Sequence, residues 1–464
     1  MTYYLDPFGC VKNQVDAENM MAFLNRDGWA AAETAETADL IIVNSCGFIE
    51  SAKQESINAV LAWRKLYPDK KILLAGCLAQ RYSKELAAAL PEADGFFGVT
   101  GLSGITAAAE RAVKITPAGE PIPGGTAAGK RPLLSLPGSA YVKISEGCDN
   151  RCSFCAIPLI RGGLVSRSVR DLTEECAALL DRGIKELCLI GQDTGAYGRD
   201  WTNTGAASIP ALIPPPNITS LLEALSRLKG NFWIRLLYIH PDNFPMSILD
   251  IMEKDKRILP YFDIPFQHGS AKILSAMNRK GTAPTYLELI ETIRRRLPGA
   301  VIRSTLMTGF PGETEEDFAL LLDFQKKARL DWLGCFAYSR EEDTPSYTMT
   351  GRVPKKTAAQ RKQLVEEQQI PITEKQMDRF IGRTFDVFVE EKFESLGGPF
   401  PADAAPSASN DPGEKTLYLG RLPCQAPEVD GAAVINSYKP LEPGSLVPCR
   451  VIARAGFDLE VESE

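Results

Sequence analysis

Histidine is almost missing from this chain: 464 residues hold only His240 and His268. A zinc or iron site built on imidazole is thereby disfavoured, and any metal reading moves to thiolate. Also missing is an apolar run of the roughly 18–20 residues that a membrane span needs. The opening residues, "MTYYLDPFGC", lack a basic stretch followed by an apolar core. No secretory leader is expected, and the protein is predicted to be cytoplasmic with no membrane partner. A disulfide framework is not expected either. Eleven cysteines, an odd number in a chain of this length, point in the cytosol to metal binding or chemistry.

Positive charge is scarce at one end. The net charge is −7, and residues 380–464 carry fourteen acidic against seven basic side chains, so the rest is close to neutral. An acidic C-terminal module is a poor electrostatic match for nucleic acid and a good one for a basic protein. With 44% hydrophobic and 24% charged residues the composition is globular, and the length suggests roughly three domains.

The predicted fold class is α/β in three blocks. Residues 1–113 alternate short apolar runs ("TYYLDPFG", "ADLIIVNS", "KKILLAG") with helical patterns, which predicts a parallel α/β domain. Residues 114–134 are rich in Pro, Gly and Ala and are expected to be a linker. In residues 135–379 six strands are expected, "AYVKIS", "ELCLIG", "FWIRLLYI", "YFDIPF", "AVIRSTLM" and "WLGCFAY", with helices between them. Six β/α units imply an incomplete TIM-like barrel, interrupted by an insertion over 198–217 and closed by a long polar helix near 357–380. Residues 380–464 show five short strands with turn residues between them, the pattern of a small all-β barrel. An insertion over about 394–414 is expected to be disordered.

"EGCDNRCSFCAIP" (146–158) places Cys148, Cys152 and Cys155 directly after the first barrel strand, where the top loops of such barrels carry chemistry. Thiolates at this spacing can surround one inorganic cluster. Structural zinc is the alternative, but it takes a closed set of four ligands and no neighbouring Cys or His supplies the fourth. A 4Fe-4S cube held by three thiolates leaves one iron free. Cys10, Cys46 and Cys77 lie far apart, yet each ends an apolar strand: "YYLDPFGC", "LIIVNSC", "ILLAGC". Strand ends of a parallel sheet gather on one edge, so these thiols can meet as a second set of three. Three separate core cysteines are the alternative. Cys176, Cys188, Cys335, Cys424 and Cys449 lie inside helix or strand patterns and are assigned to core packing.

The C-x3-C-x2-C spacing, with Phe154 as the usual aromatic, resembles the radical S-adenosylmethionine superfamily. Together with "GCVKNQVDAE", "VNSCGFI", "GCDNRCSFCAIPLIRGGLVSR", "GQDTGAYG", "DIPFQH", "GFPGETEEDF", "GCFAYSREEDT" and "APEVDG", it makes the chain similar to the methylthiotransferases over nearly its whole length, nearest the RimO type. The resemblance implies an N-terminal cluster domain, a radical barrel and a C-terminal TRAM domain. It implies two 4Fe-4S clusters, one on Cys10, Cys46 and Cys77 and one on Cys148, Cys152 and Cys155, with all six cysteines catalytic. S-adenosylmethionine would serve as methyl donor and as radical source. The implied activity is insertion of a methylthio group at the β-carbon of an aspartate in a basic small-subunit ribosomal protein. A low-potential electron donor of flavodoxin or ferredoxin type and a source of sulfide are implied as partners. A tRNA adenosine methylthiotransferase is the alternative, although the acidic tail disfavours direct tRNA binding.

Further candidates follow from position. Gln192, Asp193 and Thr194, after the second barrel strand, are expected at the S-adenosylmethionine amino group, with an ordinary polar loop as the alternative. Arg303 is expected to face a carboxylate of cofactor or substrate, or to form a structural ion pair. His268 and His240 are expected to be hydrogen-bonded wall residues. Glu313 and Thr314 can cap the helix after "GFPG" or touch substrate. Arg161, Arg167 and Arg170 can make the cluster pocket positive or form a solvated face.

Overall fold

The computed structural model describes residues 1–114, 130–203, 215–393 and 415–464. The predicted disordered stretch 394–414 and most of the linker lie outside the described residues. So does much of the insertion after the second barrel strand.

The first block is a five-stranded parallel sheet. β1 (Thr2–Pro7), β2 (Ala30–Ala31), β3 (Leu40–Ser45), β4 (Lys71–Gly76) and β5 (Gly95–Phe97) run in the order β2-β1-β3-β4-β5. β3 reads "LIIVNS" and every residue is buried, as expected for a central parallel strand covered on both faces. One face packs under the helices Val11–Arg26 and Ile105–Lys114, around Tyr3, Met20, Leu24, Leu40 and Ile42. The other packs under Glu50–Leu66 and Cys77–Ala89, around Ile41, Val43, Val60 and Leu74.

The second block carries β6 (Ser139–Lys143), a small hairpin of β7 (Ser145–Glu146) and β8 (Val165–Ser166), then β9 (Glu186–Ile190), β10 (Trp233–Leu236), β11 (Tyr261–Asp263), β12 (Val301–Thr308) and β13 (Trp332–Ala337). β6, β9 and β10 form one parallel sheet and β11, β12 and β13 another. The two join through an Ile234–Ile258 bridge and the Ile239 N–H donating to the Asp263 carbonyl at 2.9 Å. The result is an open half-barrel of six parallel strands. Its outer face is covered by helices over one large core, and the predicted long helix runs Lys355–Asp378.

The third block is a closed barrel of β14 (Thr384–Lys392), β15 (Thr416–Arg421), β16 (Ala433–Ser437), β17 (Leu446–Ala455) and β18 (Asp458–Ser463), ordered β14-β15-β16-β18-β17. It plugs the end of the half-barrel where the strands begin. Arg421 pairs with Glu186 at 2.6 Å, the Trp332 indole donates to the Cys424 carbonyl at 2.8 Å, and the Tyr261 hydroxyl donates to Asp430 at 2.6 Å. Cys424 lies in the turn after β15 rather than in a strand, but it is buried like Cys176, Cys188, Cys335 and Cys449.

Buried ion pairs hold the first sheet across the open side of the half-barrel. Arg131 is 1% exposed and pairs with Glu18 of the first helix at 2.8 Å and with Glu175 of the barrel. Lys143 pairs with Asp16. Glu341, in the loop after β13, takes Arg81 at 2.8 Å and Lys53 at 3.2 Å. A buried charge is tolerated only when paired, so these contacts fix the angle between the two walls.

Candidate active site

The local triad sits on a tightly pinned loop. The Cys148 N–H donates to the Gly162 carbonyl at 3.1 Å, the Ser153 N–H to Met277 at 3.1 Å, and the Ser153 hydroxyl to Ala276 at 2.7 Å. Burial raises the Cys148 thiol to about 11, with Asp193 and Cys152 adding to it, and the Cys155 thiol to about 12, again with Cys152 adding. Cys152 stands between the other two and bears on both Cys148 and Cys155. Phe154 packs with Ile273, Met277 and Phe310 and shields Cys152 and Cys155 from water.

Two donors address these sulfurs. The Asn150 amide donates to Cys148 Sγ at 3.4 Å, and His240 Nε2 stands 3.7 Å from Cys152 Sγ. His240 is therefore near the triad in space, though 88 residues away in sequence. Its Nδ1 accepts from the Asp242 N–H at 3.2 Å, so in the neutral ring the proton sits on Nε2 and points at sulfur. Burial, then Arg279, lowers His240 to about 4 and keeps it neutral. It is a donor to the thiolate and offers no lone pair to a metal.

The strand-end contexts put the other three cysteines on neighbouring strands. Cys10, Cys46 and Cys77 follow β1, β3 and β4, which are adjacent and in register. The approach is close enough to require glycine. A Cβ on Gly9, at φ +94°, would lie 3.2 Å from the Cys46 Cβ, and one on Gly47 would lie 2.7 Å from the Cys77 carbonyl. Cys10 is exposed, Cys46 half-buried and Cys77 buried. Burial raises the Cys77 thiol to about 12, opposed by Arg161.

Arg161 ties the two walls together. It is 4% exposed and donates to Cys77 Sγ at 3.1 Å, to Asn13 at 2.7 Å and to Glu146 at 2.9 Å, and it pairs with Asp16 at 2.9 Å. Cys77 also packs on Ala156, the neighbour of Cys155. Arg161 and Ala156 thus connect the loop of the local triad to Cys77 of the other set. Arg167 instead pairs with Glu175, and Arg170 is an exposed partner of Glu174.

The other sequence-predicted residues fall into two groups. Asp193 is 1% exposed and fully engaged, accepting from Asn150, Asn243, Gly195 N–H and His240 N–H. Thr194 donates to the carbonyls of Leu237 and Tyr238. Arg303 lies between Asp263 at 3.1 Å and Asp430 at 3.5 Å. Thr314 caps its helix with a full capping box, while Glu313 pairs with Arg361. His268 is wholly buried beside Glu313. Gln192, by contrast, is half-buried and its side chain bonds to nothing among the described residues.

Sequence reasoning did not single out Lys12, Asn13, Asn150, Asn243 or Arg279. Lys12 and Asn13 lie inside the quoted motif "GCVKNQVDAE", and polar residues beside a ligand cysteine were the available signal. Arg279 and Asn243 had none.

Three thiols and no fourth ligand suit a cube with an open iron. Among the described residues no group of three His, Cys, Asp or Glu side chains converges on a point that would hold a single ion.

Comparison with known proteins agrees. Residues 2–98 match the model described as Uncharacterized protein family UPF0004, 142–324 the Radical SAM superfamily, and 410–463 the TRAM domain. A ribosomal protein uS12 methylthiotransferase RimO from Treponema denticola is 46% identical, covering 98% of this chain and 99% of the relative. The protein of that name from Syntrophomonas wolfei is 37% identical over 97% of each. Among solved structures, the radical S-adenosylmethionine methyltransferase TsrM from Kitasatospora setae superposes with a TM-score of 0.54 at 15% identity, over 74% of each chain, and shares the fold. No described helix is long and apolar enough to cross a membrane. With whole-length identity and all three domain models in agreement, the chain belongs to the RimO family of radical S-adenosylmethionine methylthiotransferases.

Proposed function

We propose that this protein, in the cytoplasm, inserts a methylthio group at the β-carbon of an aspartate in ribosomal protein uS12. The observation that carries this is Arg161, which follows the local triad in its loop and donates to Cys77 of the other set and to Glu146. Family membership implies S-adenosylmethionine and a 4Fe-4S cluster. Cys148, Cys152 and Cys155 would hold that cluster, and Cys10, Cys46 and Cys77 a second. When bound, the first supplies the electron that cleaves S-adenosylmethionine to a hydrogen-abstracting radical, and the second presents the sulfur to be methylated and transferred.

The chain's own residues position and insulate. Asn150 and His240 donate to the first triad's sulfurs and Arg161 to Cys77, stabilising thiolate over thiol. Phe154, Met277 and Phe310 exclude water. Gln192, with its amide uncommitted, is the side chain for the S-adenosylmethionine amino group. Asp193 and Thr194 hold its loop, and Arg303 braces the wall below. Exposed Cys10 leaves sulfide a way in, and a flavodoxin- or ferredoxin-type donor supplies electrons. The acidic C-terminal module favours a basic protein over tRNA.

The test is anaerobic incubation of the reconstituted protein with S-adenosylmethionine, reductant, sulfide and either uS12 or tRNA. Mass spectrometry is expected to find one added methylthio group on a uS12 aspartate. Addition to adenosine alone overturns the proposal.

A further inference from the structure

One buried cation beside Cys10 rests on an aromatic ring rather than in an ion pair among the described residues. Lys12, two residues after Cys10, is 6% exposed, and its Nζ lies 2.9 Å from the centroid of the Tyr238 ring. No hydrogen-bond acceptor or carboxylate holds that ammonium among the described residues. The charges around it are otherwise matched. Arg161 and Lys143 are satisfied by Asp16 and Glu146, and Arg303 by Asp263 and Asp430. A buried charge without a direct counterion is costly, so an ammonium that no carboxylate contacts here is a site that can take an anion.

The ring that holds it is itself held under strain. Tyr238 has φ +63°, a left-handed conformation disfavoured for a bulky side chain. Its carbonyl accepts from both the Thr194 N–H at 2.9 Å and the Thr194 hydroxyl at 3.2 Å. Strain of this kind persists where the surroundings over-determine the backbone, commonly at a functional site. It presents the aromatic face to Lys12, so that the ammonium sits between the wall of Cys10 and the barrel strand end that carries Tyr238.

We propose that Lys12 binds the carboxylate of the target aspartate and so selects an acidic side chain as substrate. This rests on the function proposed above and names the group that reads the target. The S-adenosylmethionine carboxylate is the competing anion, but the loop of the local triad is braced by Asp193, which accepts from Asn150 and the His240 N–H. Lys12 lies two residues after Cys10 and belongs to the wall of the dispersed triad. A carboxylate is one bond from its β-carbon, so an aspartate anchored on Lys12 presents that carbon beside Cys10. An asparagine or a neutral base there would leave the ammonium unmatched.

The test uses the reconstituted holoenzyme and compares affinity for uS12 with affinity for uS12 whose target aspartate is changed to asparagine. The wild type is expected to prefer the aspartate form by about 10- to 100-fold, the range of a charge-assisted hydrogen bond. Lys12→Met is expected to bring the ratio to about one, and Lys12→Arg, which keeps the charge, to restore most of it. Iron content and circular dichroism of both variants report whether they fold. Lys12→Met retaining the preference overturns the inference, as does a wild type with none. A cation serving only to balance the cysteine site would move that site's reduction potential and leave the ratio intact. If the wild type modifies uS12 while Lys12→Met keeps the ratio, the inference alone falls. If the wild type modifies only tRNA, the proposed function falls too.

Discussion

Cys148, Cys152 and Cys155 occupy eight consecutive residues, whereas Cys10, Cys46 and Cys77 span sixty-eight. The first triad is a property of one loop; the second exists only when β1, β3 and β4 are paired in register. The local site is evenly half-buried, and the dispersed one grades from exposed Cys10 to buried Cys77. Each has an asparagine bracing it. Asn150 touches Cys148 Sγ from a half-buried position, while Asn13 is wholly buried and accepts from both Arg161 and the Cys77 thiol. A radical generator needs a rigid, insulated seat. On the function proposed above the dispersed set is the sulfur donor, which must be refilled and needs an opening, and exposed Cys10 is that opening.

The largest effects should separate the triads by activity. Cys148→Ala is expected to abolish both S-adenosylmethionine cleavage and product. Cys46→Ala is expected to abolish product while measurable cleavage survives. Quantifying 5′-deoxyadenosine beside methylthiolated uS12 checks this, and equal loss of both in the two variants would erase the distinction.

Arg161→Ala comes next. It strips a buried cation from Asp16, Glu146 and Cys77 and should cost about 3–5 kcal/mol in anaerobic denaturation, with the dispersed triad losing iron first. Acid probes the far end of the half-barrel instead. Burial opposes ionisation of Glu186, but Arg421 and Arg235 outweigh it and hold the carboxyl down to about 2. The folded value lies below the unfolded one, so the stabilisation is present above about 4.5 and lost as pH falls toward 2. It amounts to about 3 kcal/mol. Denaturation between pH 6 and 2 should show this loss in the wild type and a much smaller one in Glu186→Gln.

The smallest effects compare the braces. Asn13→Ala should cost about 2–3 kcal/mol, because it leaves buried donors and an acceptor unsatisfied, and Asn150→Ala only about 1 kcal/mol. Denaturation midpoints of the two variants give the order; the reverse order would mean that the local loop carries more strain than its contacts indicate.

The same contrast explains what could be read in advance. The local triad is legible as spacing. The dispersed triad is legible because three strands end in the same way, and β-strand periodicity marks the six barrel strands and the five of the C-terminal module. Edge strands β2 and β5 and the β7–β8 hairpin, with two or three residues in each strand, carry too short a pattern to register. Partnerships across domains leave no periodic trace. Nothing in the sequence joins Arg131 to Glu18 and Glu175, or turns Arg161 toward Cys77 while Arg167 and Arg170 pair elsewhere. Lys12 was within a quoted motif, but its seat on the Tyr238 ring, with no carboxylate in direct contact among the described residues, is visible only in the folded chain.

The most direct measurement is iron per chain after anaerobic reconstitution of the wild type, Cys46→Ala, Cys148→Ala and the double variant. Two three-thiolate cubes predict about eight, four, four and none. Only about four irons in the wild type, or four retained by the double variant, would contradict the account.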